Sequence, residues 1–487
     1  MSKQYLLSID QSTSGTKALL FDCSGILICR DDVPHRQIID DNGWVEHDLM
    51  EIYCNTIKAT KQVITKSGID KSQVTGIGIS NQRETSAVWD KANGEPVYNA
   101  IVWQCSRGEN ICRRISDTGW SDKIQDITGL PLSPYFSAAK IAWILENIST
   151  TGKQLCAGTI DSWLVFKLTG NFRTDFSNAS RTQLFNIENL EWSREVCNIF
   201  NIDISILPQV CYSDSCFGYT DFEGFFDSPI PIHGVLGDSH GALFGQGCFS
   251  PGMIKATYGT GSSIMMNIGD KPLRSDKGVV TSIAWGVSGK IDYVLEGNIN
   301  YTGAVMKWLV DDVGLIESSE ISSEYIAKAN LDDETYLIPA FSGLGAPHWD
   351  SSARAMICGM SRTTGKAEIV KAAVECIAYQ IADVVEVMLE SSSVKGESLR
   401  ADGGAVKNAY LMQFQSDILN LPIVVPASEE LSGIGAAYLA GIAIGVYSKD
   451  EVFFRMQQTQ FEPSMADWIR KRKNSGWKNA VKMVICR

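Results

Sequence analysis

Apolar and small polar residues come in short blocks along the chain. Tyr5 to Ile9 and Ala18 to Phe21 are apolar runs joined by "DQSTSGTK", and another run follows at Ile26 to Arg30. Short apolar runs bounded by turn residues predict strands, so this stretch reads as a hairpin with a polar tip and then a third strand. About 250 residues later "GMIKATYGTGSSIMMNIG" repeats the plan, with a small tip at Gly259 to Ser263 and a second run at Ile264 to Ile268. One such device in each half predicts duplicated domains facing each other across a cleft. Each tip offers backbone N–H groups and hydroxyls to an anion, with Lys17 as a countercharge at the first. A third glycine cluster, Asp402-Gly403-Gly404, precedes a helical pattern through Ala409, Met412 and Ile418. Backbone at such a helix start approaches a nucleotide closely, and it equally makes a tight strand-to-helix turn.

Residues 433 to 447, "GIGAAYLAGIAIGVY", are the most membrane-like window. They fall short of the roughly 18 apolar residues of a membrane span and are rich in glycine, so a buried helix is expected. The chain has 487 residues, 44% hydrophobic and 20% charged, which suits two or three domains with large cores. Its N-terminus enters a strand-like run without the features of a secretory signal. Thirteen cysteines include no C-x-x-C pair, which favours reduced thiols over a disulfide framework or zinc site. A cytoplasmic setting and no membrane association follow as expectations, and sequons at Asn147 and Asn178 then carry no meaning. The formal net charge of -13 argues against a nucleic-acid partner. The one basic run, Ile469 to Lys473, reads as a solvated face. The chain has no G-x-x-x-x-G-K-[ST], no H-E-x-x-H and only five histidines, which makes a P-loop or a histidine metal site improbable.

Candidate chemistry gathers in "GVLGDSHGALFGQG", where Asp238, Ser239 and His240 are consecutive. These are the residue types of a hydrolytic triad, but three neighbours along a chain splay apart, whereas triad members must point at one another. Asp238 therefore needs another partner.

The stretches "IDQSTSGTKALLFD", "GIGISNQRETSAVWDKANGEPVYNAIVWQC", "GLPLSPYFSAAKIAWIL", "DFSNASRTQLFNI", "PGMIKATYGTGSS", "PAFSGLGAPHWD" and "RADGGAVKNAYLMQFQSDIL" resemble the FGGY sugar and polyol kinases, most closely their glycerol kinase branch. The resemblance implies an α/β fold of two actin-like, ribonuclease H-like ATPase domains with a nucleotide cleft between them, divided here into residues 1–249 and 250–487. It implies an ATP- and Mg²⁺-dependent kinase acting on a primary hydroxyl of a small polyol, glycerol first and a longer polyol or ketose second, in a homodimer or homotetramer. Carried over residue by residue, Asp238 is the general base. Arg83, Glu84, Trp103, Tyr135 and Ser239 surround the acceptor; Thr13, Ser14, Lys17, Gly259 and Thr260 hold phosphates; Gly303, Lys307, Gly404 and Asn408 line the nucleotide. Asp10 is the Mg²⁺ partner, or else only caps its turn.

The chain departs from that family at the acceptor pocket. Ser239-His240 replaces a usual Gln-Gln, and Ser263 stands where a phenylalanine is usual. Both changes remove bulk, leaving space for a longer acceptor or for water. His240 binds an extra hydroxyl in one reading and packs inside in the other. Residues 220–234, "TDFEGFFDSPIPIHG", lack the Gly-rich, Arg-containing loop through which some bacterial relatives bind a sugar bisphosphate inhibitor.

Overall fold

The computed structural model describes residues 4–485. Its first half is built on the strands Tyr5–Gln11 (β1), Gly15–Asp22 (β2) and Leu27–Pro34 (β3). The helix Leu49–Ser67 (α1) follows, then the strand Val74–Asn81 (β4) and, much later, Ile230–Gly237 (β5). All seven residues of β1 are buried, because the strand is central and covered on both faces. Side chains alternate across it: Tyr5, Leu7 and Ile9 join the core under α1, whereas Leu6 faces a second core on the opposite side. Asp48 starts α1 by accepting hydrogen bonds from the N–H groups of Met50 and Glu51, and Gly68 ends it in the left-handed region.

In the sheet, β3, β2, β1, β4 and β5 lie in that order, with Gly218–Thr220 at the β5 edge. The hairpin pairs are antiparallel, whereas β1, β4 and β5 run parallel. Asp238–Gly245 (α2) leaves directly from the end of β5.

The second half rebuilds the same order. Met253–Tyr258 (β6), Ser262–Gly269 (β7), Lys290–Ile299 (β8), Ser398–Gly403 (β9) and Ile423–Pro426 (β10) form a sheet in which β8, β7, β6, β9 and β10 are neighbours in turn. Again the first three are antiparallel and the last two parallel to β6. The duplication expected from two hairpins is thus a duplication of the whole five-strand core. The helices Lys366–Ser392 (α3), Ala409–Leu419 (α4) and Leu431–Ala443 (α5) complete this half.

Two local readings are corrected. Both hairpin strands run on into the stretches read as tips, so the first tip is only Ser12-Thr13-Ser14, closed by the Ser12 N–H on the Gly15 carbonyl at 2.9 Å. Asp10 and Lys17 are strand residues opposite each other, and Ser263 is a strand residue opposite Thr257. Backbone pairing continues through polar residues as long as the ladder is satisfied, which the hydrophobic pattern does not record.

The membrane-like window is the buried helix α5, and among the described residues no helix is long and apolar enough to cross a membrane. Its position is unexpected: it shares a core with Leu6, Leu19, Leu236 and Leu243 of the first half. Glycines allow this approach. A Cβ on Gly435 would lie 1.9 Å from the Gly241 carbonyl oxygen of α2, and one on Gly245 would lie 2.3 Å from that of Leu431. The cysteines among the described residues are free thiols.

Candidate active site between the two halves

The parallel strands of the first sheet end side by side. Gln11, Asn81 and Gly237 are level in the ladder, so Asp10 precedes that line on β1, Arg83 and Glu84 follow it after β4, and Asp238 follows it after β5. Ligands of open α/β sheets bind beyond such carboxyl ends. Facing them are the tip of the second hairpin and β8. Together they enclose a cleft of about 1330 Å³ that reaches Thr13 on one side and Gly259, Thr260 and Ser263 on the other.

Asp238 is the first residue of α2, and its side chain lines this cleft. Its Oδ1 lies 3.1 Å from Nε of Arg83. The same guanidinium forks onto Glu296 of β8, Nη1 to Oε2 at 2.8 Å and Nη2 to Oε1 at 3.1 Å. Glu84 holds a left-handed backbone (φ 58°), uncommon for a residue with a side chain, and accepts from Nε of Arg181 at 2.6 Å. Arg181 also reaches Glu296, at 3.2 Å. Three carboxylates and two guanidiniums thus alternate along one chain of charge, buried except at Asp238, which opens on the cleft. Burial opposes the charge of Glu296, and the two arginines outweigh it, holding its carboxyl far below the usual range.

The other expected acceptor residues stand around this cluster. Trp103 and Tyr135 meet edge to face with ring centroids 5.7 Å apart. The indole N–H donates to Oγ1 of Thr13 at 3.0 Å, which ties Trp103 to the first hairpin tip. Burial and the nearby Glu84 push the Tyr135 phenol up, keeping it a neutral donor. Ser239 and Ser263 line the cleft, and Oγ of Ser263 has no hydrogen-bond partner. His240 does not line it: fully buried, its Nε2 is 3.4 Å from Oγ of Ser282, and burial with Arg83 nearby lowers its pKa. The packing alternative therefore describes His240.

The expected phosphate and nucleotide residues are less uniform. Gly259 and Thr260 are anchored by N–H groups at the next helical turn, Gly303 donating to the Gly259 carbonyl and Thr302 to that of Thr260, each at 2.9 Å. Gly403 precedes Gly404 with φ 96°, and a Cβ there would sit 2.4 Å from the Tyr258 carbonyl oxygen, so a glycine is needed for the second tip and this turn to meet. Lys307 and Gly404 are exposed nearby. Asn408 caps α4 through the Leu411 N–H and donates to Ser322. The Ser14 carbonyl accepts from the His35 N–H. Lys17 is not a free countercharge, since its ammonium is 2.8 Å from Glu430, the residue before α5, which also takes Arg30. Sequence separation hid that partner.

Asp10 is buried. Burial pushes its carboxyl up to about 6; Lys17 opposes this, and Asp238 and Glu430 reinforce it. A hard divalent cation beside Asp10 and Asp238 would supply the missing positive charge, so the donor set fits one. Glu296, Arg181 and Lys255, all in the cleft wall, were missed by sequence reasoning. Arg181 falls inside the quoted "DFSNASRTQLFNI", and Lys255 inside "PGMIKATYGTGSS". Glu296 lies in an ordinary apolar strand pattern whose only signal is a charge at a core position.

A family model described as the FGGY family of carbohydrate kinases, N-terminal domain, matches residues 5–245, and the model of its C-terminal domain matches residues 254–444. Glycerol kinase 1 of Thermotoga maritima is 47% identical over 493 residues, covering 99% of each chain. The crystal structure of Plasmodium falciparum glycerol kinase with ADP is similar with a TM-score of 0.93 at 37% identity, covering 99% of this chain and 98% of that one. A ligand-bound xylulose kinase from Lactobacillus acidophilus shares the fold, with a TM-score of 0.88 at 21% identity over 99% of this chain and 97% of that one.

Proposed function

Because the chain belongs to the FGGY family of carbohydrate kinases, we infer that it transfers the γ-phosphoryl group of ATP to a primary hydroxyl of a small polyol, glycerol being the acceptor. It is a phosphotransferase with an alcohol acceptor. The observation that supports the reading most is the position of Asp238, a carboxylate at the start of a helix, in a cleft lined by both hairpin tips.

Asp238 takes the hydroxyl proton as the alcohol oxygen forms its bond to the γ-phosphorus and the bond to the β–γ bridging oxygen breaks, releasing ADP. A positioned base contributes about 10²- to 10⁴-fold, and charge neutralisation and alignment supply the rest. Arg83 and Glu84 offer one hydroxyl both a donor and an acceptor. Trp103 and Tyr135 cover the carbon chain and exclude water. The backbone of both tips, with Thr13, Ser14 and Thr260, holds phosphate oxygens. Lys17 joins them by exchanging Glu430 for a phosphate, and Gly303, Lys307, Gly404 and Asn408 flank the nucleotide.

Asp10 would hold Mg²⁺, which when bound neutralises phosphate charge. In this proposal residues 1–249 bind the acceptor and carry the first phosphate hairpin and residues 250–487 bind the nucleotide, with Glu296 and α5 crossing that division. A homodimer or homotetramer is the accompanying proposal, checked by sedimentation.

A second reading keeps the chemistry and lengthens the acceptor to a four- or five-carbon polyol or a ketose. It is favoured by small side chains at Ser239 and Ser263 in the cleft wall. ATP consumption measured against a panel of polyols and ketoses decides. Turnover with glycerol at the highest kcat/KM supports the first reading, turnover only with longer acceptors the second, and acceptor-independent hydrolysis neither.

A further inference from the structure

We propose that Glu296 is a positioning residue for the transfer: from the second half of the chain it holds Arg83 so that the guanidinium meets both Asp238 and the acceptor, and the acceptor pocket is therefore complete only when the two halves are joined. The inference rests on the kinase reading above and concerns the same site.

Four observations carry it. First, Glu296 sits on β8, opposite Met265 and Val280 in the ladder, whereas Arg83, Glu84, Arg181 and Asp238 all come from the first half. Second, its carboxylate is almost wholly buried and is occupied by the bidentate fork from Arg83 and by Arg181. Third, Nε of Arg83, which makes no hydrogen bond, lies 3.1 Å from Oδ1 of Asp238, an ion pair. Fourth, Glu296 and Asp238 are the only acidic side chains within ion-pair distance of Arg83 among the described residues. A long side chain reaching across a cleft has several rotamers. A planar fork onto a carboxylate fixed within β8 leaves it one, so the direction of Nε beside Asp238 is set from the opposite half. Removing one partner leaves a buried guanidinium uncompensated, and Arg83 would then turn toward Asp238 or Glu84 and distort the pocket.

The test is steady-state kinetics with glycerol and ATP on the full chain carrying Glu296→Gln, Arg83→Gln or both, with Glu296→Asp as a further variant in case the amide does not fold. Folding is checked by circular dichroism and by ADP binding. Glu296→Gln is expected to lower kcat/KM for glycerol by about 10²-fold, the scale of a small misplacement at a reacting centre, while KM for ATP stays within about threefold. Glu296→Asp, charged but one methylene short, is expected to recover part of the loss. The double variant is expected to be little worse than Arg83→Gln alone, because Glu296 acts through that arginine.

Unchanged glycerol kinetics in a folded Glu296→Gln chain would overturn the proposal, and so would equal losses for glycerol and ATP or fully additive losses in the double variant. A wild-type chain that phosphorylates no polyol would overturn the kinase reading and this inference with it, an outcome distinct from an active wild type with an indifferent Glu296.

Discussion

Single side chains set the chemistry. Asp238→Asn keeps the shape of the helix start but removes the proposed proton acceptor, so kcat is expected to fall by about 10²- to 10⁴-fold while ADP affinity, read by calorimetry, changes little. Retained kcat would remove Asp238 from the role of base. Ser263 is opposite Thr257 and Asn298 on the cleft wall. Ser263→Phe is expected to lower glycerol KM or to exclude longer acceptors, seen as a changed ratio of kcat/KM between glycerol and a five-carbon polyol; an unchanged ratio would mean that the side chain does not contact the acceptor.

Asp10 has an ordinary pKa of 3.8 and about 6 in the fold. The folded chain holds this proton more tightly, so the neutral form contributes stability that is full below pH 4 and lost as pH rises through 6. A shift of this size corresponds to about 3 kcal/mol. Asp10→Asn, which stays neutral, is expected to be more stable than the wild type by about 1–3 kcal/mol in denaturant titrations near pH 7.5 without Mg²⁺, and no more stable near pH 4. Equal stability at both pH values would show that the carboxylate is compensated within the fold. Trp103, Tyr135, Arg83 and Glu84 were legible because they stand in dense local motifs. Glu296 was not, because a lone acid in a strand says nothing of what it faces.

At the level of elements, the position of Asp238 depends on α2, and α2 depends on α5. The two helices touch through backbone at Gly241, Gly245 and Gly435, where any Cβ would overlap a main-chain atom of the other helix. Gly435→Ala is expected to cost at least about 1–3 kcal/mol by overpacking and to reduce kcat as the start of α2 shifts, with unfolding and turnover measured on the same preparation. Stability loss without any change in turnover would show that α2 is positioned by β5 alone. The apolar content of α5 was plain in the sequence. Its partner was not, because burial on all sides leaves no amphipathic stripe to indicate a direction.

At the scale of the molecule, two similar sheets close on one cleft whose walls come from both. Acceptor and nucleotide therefore favour the same joined arrangement and should bind with positive coupling. Saturating ADP is expected to tighten glycerol binding by about fivefold or more, and saturating glycerol to tighten ADP by the same factor, read by calorimetry in both orders. Independent binding would mean that the halves are already held together without ligands, through contacts such as the Arg83–Glu296 fork and α5.

By itself the sequence determined the strand-forming runs, the two hairpins, the helix that follows Gly404 and the local motifs with their candidate residues, because backbone pairing and turn chemistry act between near neighbours. Only the tertiary structure decided that Lys17 meets Glu430, that α5 crosses to the first sheet, that His240 is packed away, and that Glu296 joins Arg83 and Arg181. Those are meetings between residues far apart in the chain, and they are settled by which surfaces bury together and which charges must be paired once water is gone.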